Sequence, residues 1–153
     1  MTGLDHQSFT LTRDYKADHA RVYDAWARPE AKRRWFAENP GKSHVELRHW
    51  EMDFRPGGTE RGEFLVNGSE INYRGRYVIC TRPGRLIYNY DMDADGEMLS
   101  ASLVAVSMEE AKDGCRLTYT EHIVFIDGRD KLEYRVQGTE ELLDKLGHLL
   151  VPA

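Results

Sequence analysis

Between Tyr134 and Leu150 the apolar residues Val136, Leu142, Leu143, Leu146, Leu149 and Leu150 recur at spacings of three and four, the period of one face of an α-helix. Glu140, Glu141, Asp144, Lys145 and His148 fall largely on the opposite side. A helix of this span runs about 25 Å at ~1.5 Å per residue, and a greasy stripe of that length has to be covered. The other material able to cover it is the run of alternating segments between Ser8 and Ile126. The spacing therefore predicts a sheet wrapped around one terminal helix, with function to be sought in any space left between them.

The rest of the chain supplies that sheet. Phe9 and Leu11 alternate with threonines in a first strand ending near Tyr15. Asp18 is a good N-cap for a helix from His19 to about Ala27, with Val22, Ala25 and Trp26 on one face. Pro29 suits the first turn of a second short helix carrying Trp35 and Phe36 near its end. After Asn39-Pro40-Gly41 the period changes to two. Trp50, Met52 and Phe54 alternate with polar residues, Thr59 to Val66 returns, and Asn67-Gly68 is a strong hairpin signal. Glu70 to Cys80 follows with Tyr73, Gly75, Tyr77 and Ile79 on one face, then Leu86, Tyr88, Tyr90 and Met92 on the next strand. Val104, Val106 and Met108 mark the strand from Met98 to Met108, and Leu117, Tyr119, Glu121, Ile123 and Phe125 align on the last, Cys115 to Ile126. Strand, two short helices, about six consecutive antiparallel strands and a long helix make one α+β domain spanning residues 1–153.

Charge and motif exclude several functions. The net charge of −5 argues against a nucleic-acid partner, which needs a basic face. Cys80 and Cys115 have no paired spacing and fit reduced thiols in a cytoplasmic chain. Met1 to Gln7 has no apolar core of a signal peptide, and no apolar run approaches the ~20 residues of a membrane span. Gly41-Lys42-Ser43 ends like a phosphate-binding loop, but Phe36 stands where the first glycine is required. The six histidines show no ligand spacing, so no metal and no cofactor is expected.

What remains is a set of polar atoms on apolar faces. Tyr73, Tyr77, Tyr88, Tyr90 and Tyr119 lie on faces that otherwise carry apolar residues. Each alone reads as core, its ring buried and its hydroxyl reaching an edge. Five together, beside Trp35, Phe36, Trp50 and Phe54, with Tyr134 opening the last helix, are hard to pack solidly, and an aromatic-walled hollow with a few hydroxyls is what a small-molecule site looks like. Glu121 is sharper still. Alternation puts it with Leu117, Tyr119, Ile123 and Phe125, and a buried carboxylate must be paired, hydrogen-bonded or protonated. Two readings stand: a structural one, in which Glu121 makes a salt bridge to an arginine such as Arg61, Arg74 or Arg135 or is turned to solvent by a bulge, and a functional one, in which it is a polar anchor in a pocket, suited to proton transfer.

Several stretches resemble a known family. Val22-Tyr23-Asp24-Ala25-Trp26, then Pro29-Glu30 and Trp35-Phe36, resemble the opening of the START-like (SRPBCC) superfamily, in particular the branch named after the activator of the heat-shock protein 90 ATPase. Asp53-Phe54-Arg55-Pro56-Gly57-Gly58 is similar to that branch's Gly-Gly turn. Gly75-Arg76-Tyr77 with Arg85-Leu86, Ser102 to Val106, Arg116 to Glu121 and Asp127-Gly128 are similar to its later strands and turns. The resemblance implies a helix-grip fold: a curved antiparallel sheet around a long C-terminal helix, with a cavity between. Many relatives have Gly-Trp at the start of the last helix where this chain has Gly138-Thr139, a change that bears on the cavity mouth. The superfamily shares no catalytic residue set, so the resemblance implies function only as a class. The expectations are a module binding a small apolar or aromatic molecule, with Glu121 and tyrosine hydroxyls orienting it; alternatively, a cyclase or dehydratase using Glu121 as general acid or base; and thirdly, a co-factor domain acting on a chaperone. An exposed apolar patch would mark a partner or homodimer face.

Overall fold

The computed structural model describes residues 2–151. Strand β1 (Leu4–Tyr15) leads into helix α1 (His19–Ala27), which starts where the Asp18 side chain accepts the Arg21 backbone N–H at 2.8 Å. Arg28 is extended and makes no side-chain cap, so the next helix relies on Pro29 at its first position. Helix α2 (Pro29–Lys32) then widens into a π-helical turn over Arg33–Ala37, closed by the Glu38 N–H on the Arg33 carbonyl at 2.9 Å. That turn presents Trp35 and Phe36 to the interior, and the Trp35 indole N–H is fixed on the Ala25 carbonyl at 2.8 Å.

Six strands follow: β2 (Val45–Met52), β3 (Thr59–Val66), β4 (Ser69–Thr81), β5 (Arg85–Ala94), β6 (Glu97–Ala111) and β7 (Gly114–Ile126). They form one antiparallel sheet in the order β1-β7-β6-β5-β4-β3-β2, so every neighbour except β1 on β7 is a hairpin partner. The sheet curves around helix α3 (Leu132–Leu150), as a strongly twisted sheet of long strands can. Gly58 makes the β2–β3 turn possible: a Cβ there would stand 2.0 Å from the Asp53 carbonyl oxygen.

Two strand details differ from simple alternation. A bulge between Tyr77 and Ile79 in β4 turns Ile79 away from the core face and brings Cys80 opposite the fully buried Leu86, because one extra residue inverts a period of two. Phe54 lies beyond the end of β2, in the turn, where it packs on Tyr23 and Tyr77.

Helix α3 also presents a different stripe from the one its leucines suggest. Its buried residues are Arg135, Thr139, Leu143, Leu146 and Leu150, so the first two turns face the sheet with an arginine and a threonine while Val136 is only half-buried. The carboxylate on the sheet opposite selects the arginine. Further along, the Tyr15 hydroxyl donates to the Leu143 carbonyl at 2.8 Å, and its ring lies over Gly147. No helix among the described residues is long and apolar enough to cross a membrane.

Leu146 is fully buried where α3 meets the sheet. Leu146→Ala is expected to cost about 2–5 kcal/mol in urea unfolding, whereas Asp18→Ala, which removes only the α1 cap, should cost about 1 kcal/mol.

Candidate functional site

Between the first half of α3 and the concave face of the sheet lies a cavity of about 260 Å³. Its sheet side is made by Phe64 of β3, Tyr73 of β4, Tyr88, Tyr90 and Met92 of β5, and Tyr119 of β7. Phe36 of the π turn closes one end, and Asp130, Tyr134, Arg135, Gly138, Thr139 and Leu142 form the helix side. The volume equals about nine waters at ~30 Å³ each. Tyr134 is 61% exposed and stands at the mouth. A hollow of about 380 Å³ beside Lys16, Asp18, Glu110 and Asp113 is larger, but it is an open, polar surface depression, not an apolar one under a helix.

Behind the cavity wall sits Glu121, fully buried. Its carboxylate receives the hydroxyls of Tyr90, Ser102 and Tyr119, each at 2.6 Å, and Nη1 of Arg135 at 3.2 Å. Arg135 in turn donates to the Tyr90 hydroxyl and to Ser100 Oγ, both at 2.8 Å, and to Asp130 at 3.0 Å. Burial and then the neighbouring Glu121 charge push the Tyr90 phenol far above its ordinary pKa, so it stays a donor. Burial disfavours the Arg135 charge, but Tyr90, Glu121 and Asp130 outweigh it and hold its pKa above the usual value. Of the three arginines considered as partners for Glu121, Arg135 takes the place; Arg74 pairs with Asp91 and Asp93, and Arg61 with Glu63. Glu121 thus faces the concave side but does not line the cavity: Tyr90 and Tyr119 stand between.

A second buried pair lies deeper. Lys32 is fully buried, its ammonium 2.8 Å from Glu60. Glu60 also accepts the Tyr77 hydroxyl and, at 3.3 Å, the Trp50 indole N–H. Rings surround the ammonium, with centroids at 4.5 Å (Phe36), 5.3 Å (Trp26), 5.6 Å (Tyr88), 5.8 Å (Trp35) and 5.9 Å (Tyr77), the geometry of cation–π attraction.

The aromatic set expected at one site is therefore divided. Phe36, Tyr73, Tyr88, Tyr90, Tyr119 and Tyr134 border the cavity. Trp35 reaches only a narrow inner crevice that continues from it. Trp50, Phe54 and Tyr77 do not border it: Glu60 draws the polar ends of Trp50 and Tyr77 to itself, and Phe54 packs between Tyr23 and Tyr77. Sequence reasoning missed Lys32 and Glu60. A lysine at the end of a four-residue helix and a glutamate beside a turn look like surface residues, and no local pattern marks either as buried.

The model of the family described as Activator of Hsp90 ATPase homolog 1-like protein matches residues 16–151. Among solved structures, an uncharacterized protein from Rhizobium leguminosarum is 38% identical, with a TM-score of 0.89 over 96% of this chain and 95% of that one. The Mll3558 protein from Rhizobium loti is 33% identical, with a TM-score of 0.87 over 96% and 99%. An AHSA1-like protein from Aeromonas hydrophila, 18% identical with a TM-score of 0.69 over 94% and 91%, shares the fold. No protein of curated function matches the chain.

Removing one partner of a buried pair strands the other charge. Arg135→Met should lower stability by about 3–5 kcal/mol, and adding Glu121→Gln should recover at least half of that, read by denaturant unfolding of the single and double variants.

Proposed function

We propose that this chain, which belongs to the Activator of Hsp90 ATPase homolog 1-like family, binds a small, largely apolar aromatic molecule in the hollow between α3 and the sheet. The observation that carries the reading is that the helix side of the hollow is kept free of bulk. Gly138 sits in the interior of α3, where glycine costs about 1 kcal/mol relative to alanine, and nothing lies within 4 Å of the position a Cβ would take. No close approach requires glycine there; the space it leaves is the cavity. Its neighbour Thr139 is buried with its hydroxyl turned back onto the Arg135 carbonyl at 2.8 Å, so this residue also fills little of the hollow. The tyrosines opposite are held upright by Glu121, which gives the cavity a wall that does not collapse onto the helix.

Glu121 supports the wall in this reading and does not touch the ligand. A cyclase or dehydratase role for it would have to pass through the Tyr90 or Tyr119 hydroxyl, since a general acid or base must lie within ~3 Å of the proton it moves. No comparable observation favours contact with a chaperone: the exposed large apolar side chains Leu4, Val78, Leu103, Tyr134 and Val151 are spread over different elements.

Two variants at one residue test the proposal. Gly138→Ala should raise stability by about 0.5–1 kcal/mol, and Gly138→Phe should fold but lose binding. Calorimetry and thermal shift with 2-methylnaphthalene should show saturable binding to the parent protein and none to Gly138→Phe. Equal binding to both would place the ligand elsewhere.

A further inference from the structure

Three buried side-chain polar atoms lack a hydrogen-bond partner among the described residues: His19 Nδ1, Trp26 Nε1 and the Tyr73 hydroxyl. His19 Nδ1 has Glu110 at 3.6 Å. The other two belong to residues that border the cavity and its inner crevice. Tyr73 and Trp26 are 5% and 2% exposed. Orphaned buried polar atoms are rare in folded proteins, and each calls for an explanation. One on the cavity and one on the crevice adjoining it, they point to a group that enters from the cavity.

The chemistry of that group follows from what the walls still offer. An indole N–H can only donate. Burial pushes the Tyr73 phenol well above its ordinary pKa, so it keeps its proton to give, and its oxygen can accept as well; the indole is therefore the atom that selects an acceptor. The acceptors nearby are taken: Glu121 by four donors, Glu60 by Lys32, Tyr77 and Trp50, and Asp130 by Arg135. Lys32 answers Glu60 one to one, whereas Arg135 is shared by two carboxylates, Glu121 and Asp130, so the border of the cavity carries one negative charge in excess, on the side of the partly exposed Asp130. An anion meets that excess charge, and a cation finds no free acceptor at the buried end of the hollow, where Glu121 and Glu60 already accept several donors.

The crevice fixes the size of the group. It measures about 20 Å³ and runs from the cavity, past Phe36 and Tyr88, to Trp26 and Trp35. That is room for one water-sized group, while the 260 Å³ outside holds a ring system. We propose that the ligand is a neutral aromatic carrying a hydrogen-bond acceptor, such as an aryl ketone, whose rings fill the cavity and whose oxygen turns inward to Trp26 Nε1 or the Tyr73 hydroxyl. This inference rests on the binding role proposed above and specifies its ligand.

The test uses shape-matched probes by calorimetry: 2-acetylnaphthalene, its alkene isostere 2-isopropenylnaphthalene, 2-naphthoate and 2-naphthylmethylammonium. The ketone should bind at least tenfold tighter than the alkene, and both ions more weakly than the ketone. Tyr73→Phe removes a hydroxyl that bonds to nothing, so it should fold with an unchanged or raised melting temperature; Trp26→Phe keeps an aromatic ring in place. At least one of the two should lose fivefold or more of the ketone affinity while the alkene affinity stays within twofold. Equal binding of ketone and alkene to the parent protein overturns the acceptor proposal and leaves cavity binding standing. A ketone preference that survives both substitutions also overturns it. Absence of binding by all four probes removes the cavity reading along with it.

Discussion

Glu121 brings a carboxylate onto the concave face of the sheet where water does not reach, and the group that answers it comes from another element, Arg135 of α3. Two consequences follow from this one contact. The helix is held at a set height above β7, because its first turns must present Arg135 to the sheet. The carboxylate has lone pairs left over, and those are filled by hydroxyls from β5, β6 and β7. Tyr90 and Tyr119 are thereby tied at their tips. A phenylalanine in either place would be free to tilt into the space beneath the helix; a tethered tyrosine stands as a fixed wall.

The Lys32–Glu60 pair repeats the arrangement from the other side. Here the cation comes from the short helix α2 and the acid from β3, and the acid again takes a phenol, that of Tyr77. Helices α2 and α3 thus each carry one cation to one sheet carboxylate, and each carboxylate orders aromatic rings. Ion pairs of this kind contribute little net stability compared with apolar packing. What they supply is position: ring planes are set by hydrogen bonds at their ends as well as by contacts along their sides, so the interior can include a hollow without losing its order. The π turn at Arg33–Ala37 belongs to the same scheme, since it brings Phe36 over the Lys32 ammonium and against the cavity at once.

Much of this architecture was legible in the sequence. The leucine spacing of α3, the Asp18 cap, the hairpin signals and the inward alternation of Glu121 all follow from period and turn chemistry, and they led to a curved sheet around a terminal helix. Less legible was anything that depends on which partner a buried charge selects. The apolar stripe of α3 pointed to Val136, and the electrostatic demand of Glu121 substituted Arg135. The aromatic residues formed one set by composition, and Glu60 divided them by drawing Trp50 and Tyr77 away from the cavity. The bulge after Tyr77, which exchanges Ile79 for Cys80, leaves no mark in a sequence where both residues are apolar. In each case the deciding contact is between residues far apart in the chain, and local pattern does not contain it.

The compensated charges also govern what the cavity can select. An aromatic ring system buries about 150–250 Å², worth about 4–6 kcal/mol at ~25 cal/mol per Å² before the cost of ordering the ligand. That corresponds to dissociation constants from about millimolar to tens of micromolar, and it distinguishes poorly between ligands of similar shape. The one charge in excess, on the side of Asp130, adds no attraction for a neutral ligand. Discrimination therefore falls to the few polar atoms without partners, because a ligand that leaves them unsatisfied gains nothing from them, and one that reaches them gains hydrogen bonds already paid for in desolvation by the folded protein. A rigid apolar hollow whose unpartnered buried atoms are a phenol hydroxyl and an indole N–H that can only donate is selective by that arithmetic, and the two buried ion pairs are what leave it so.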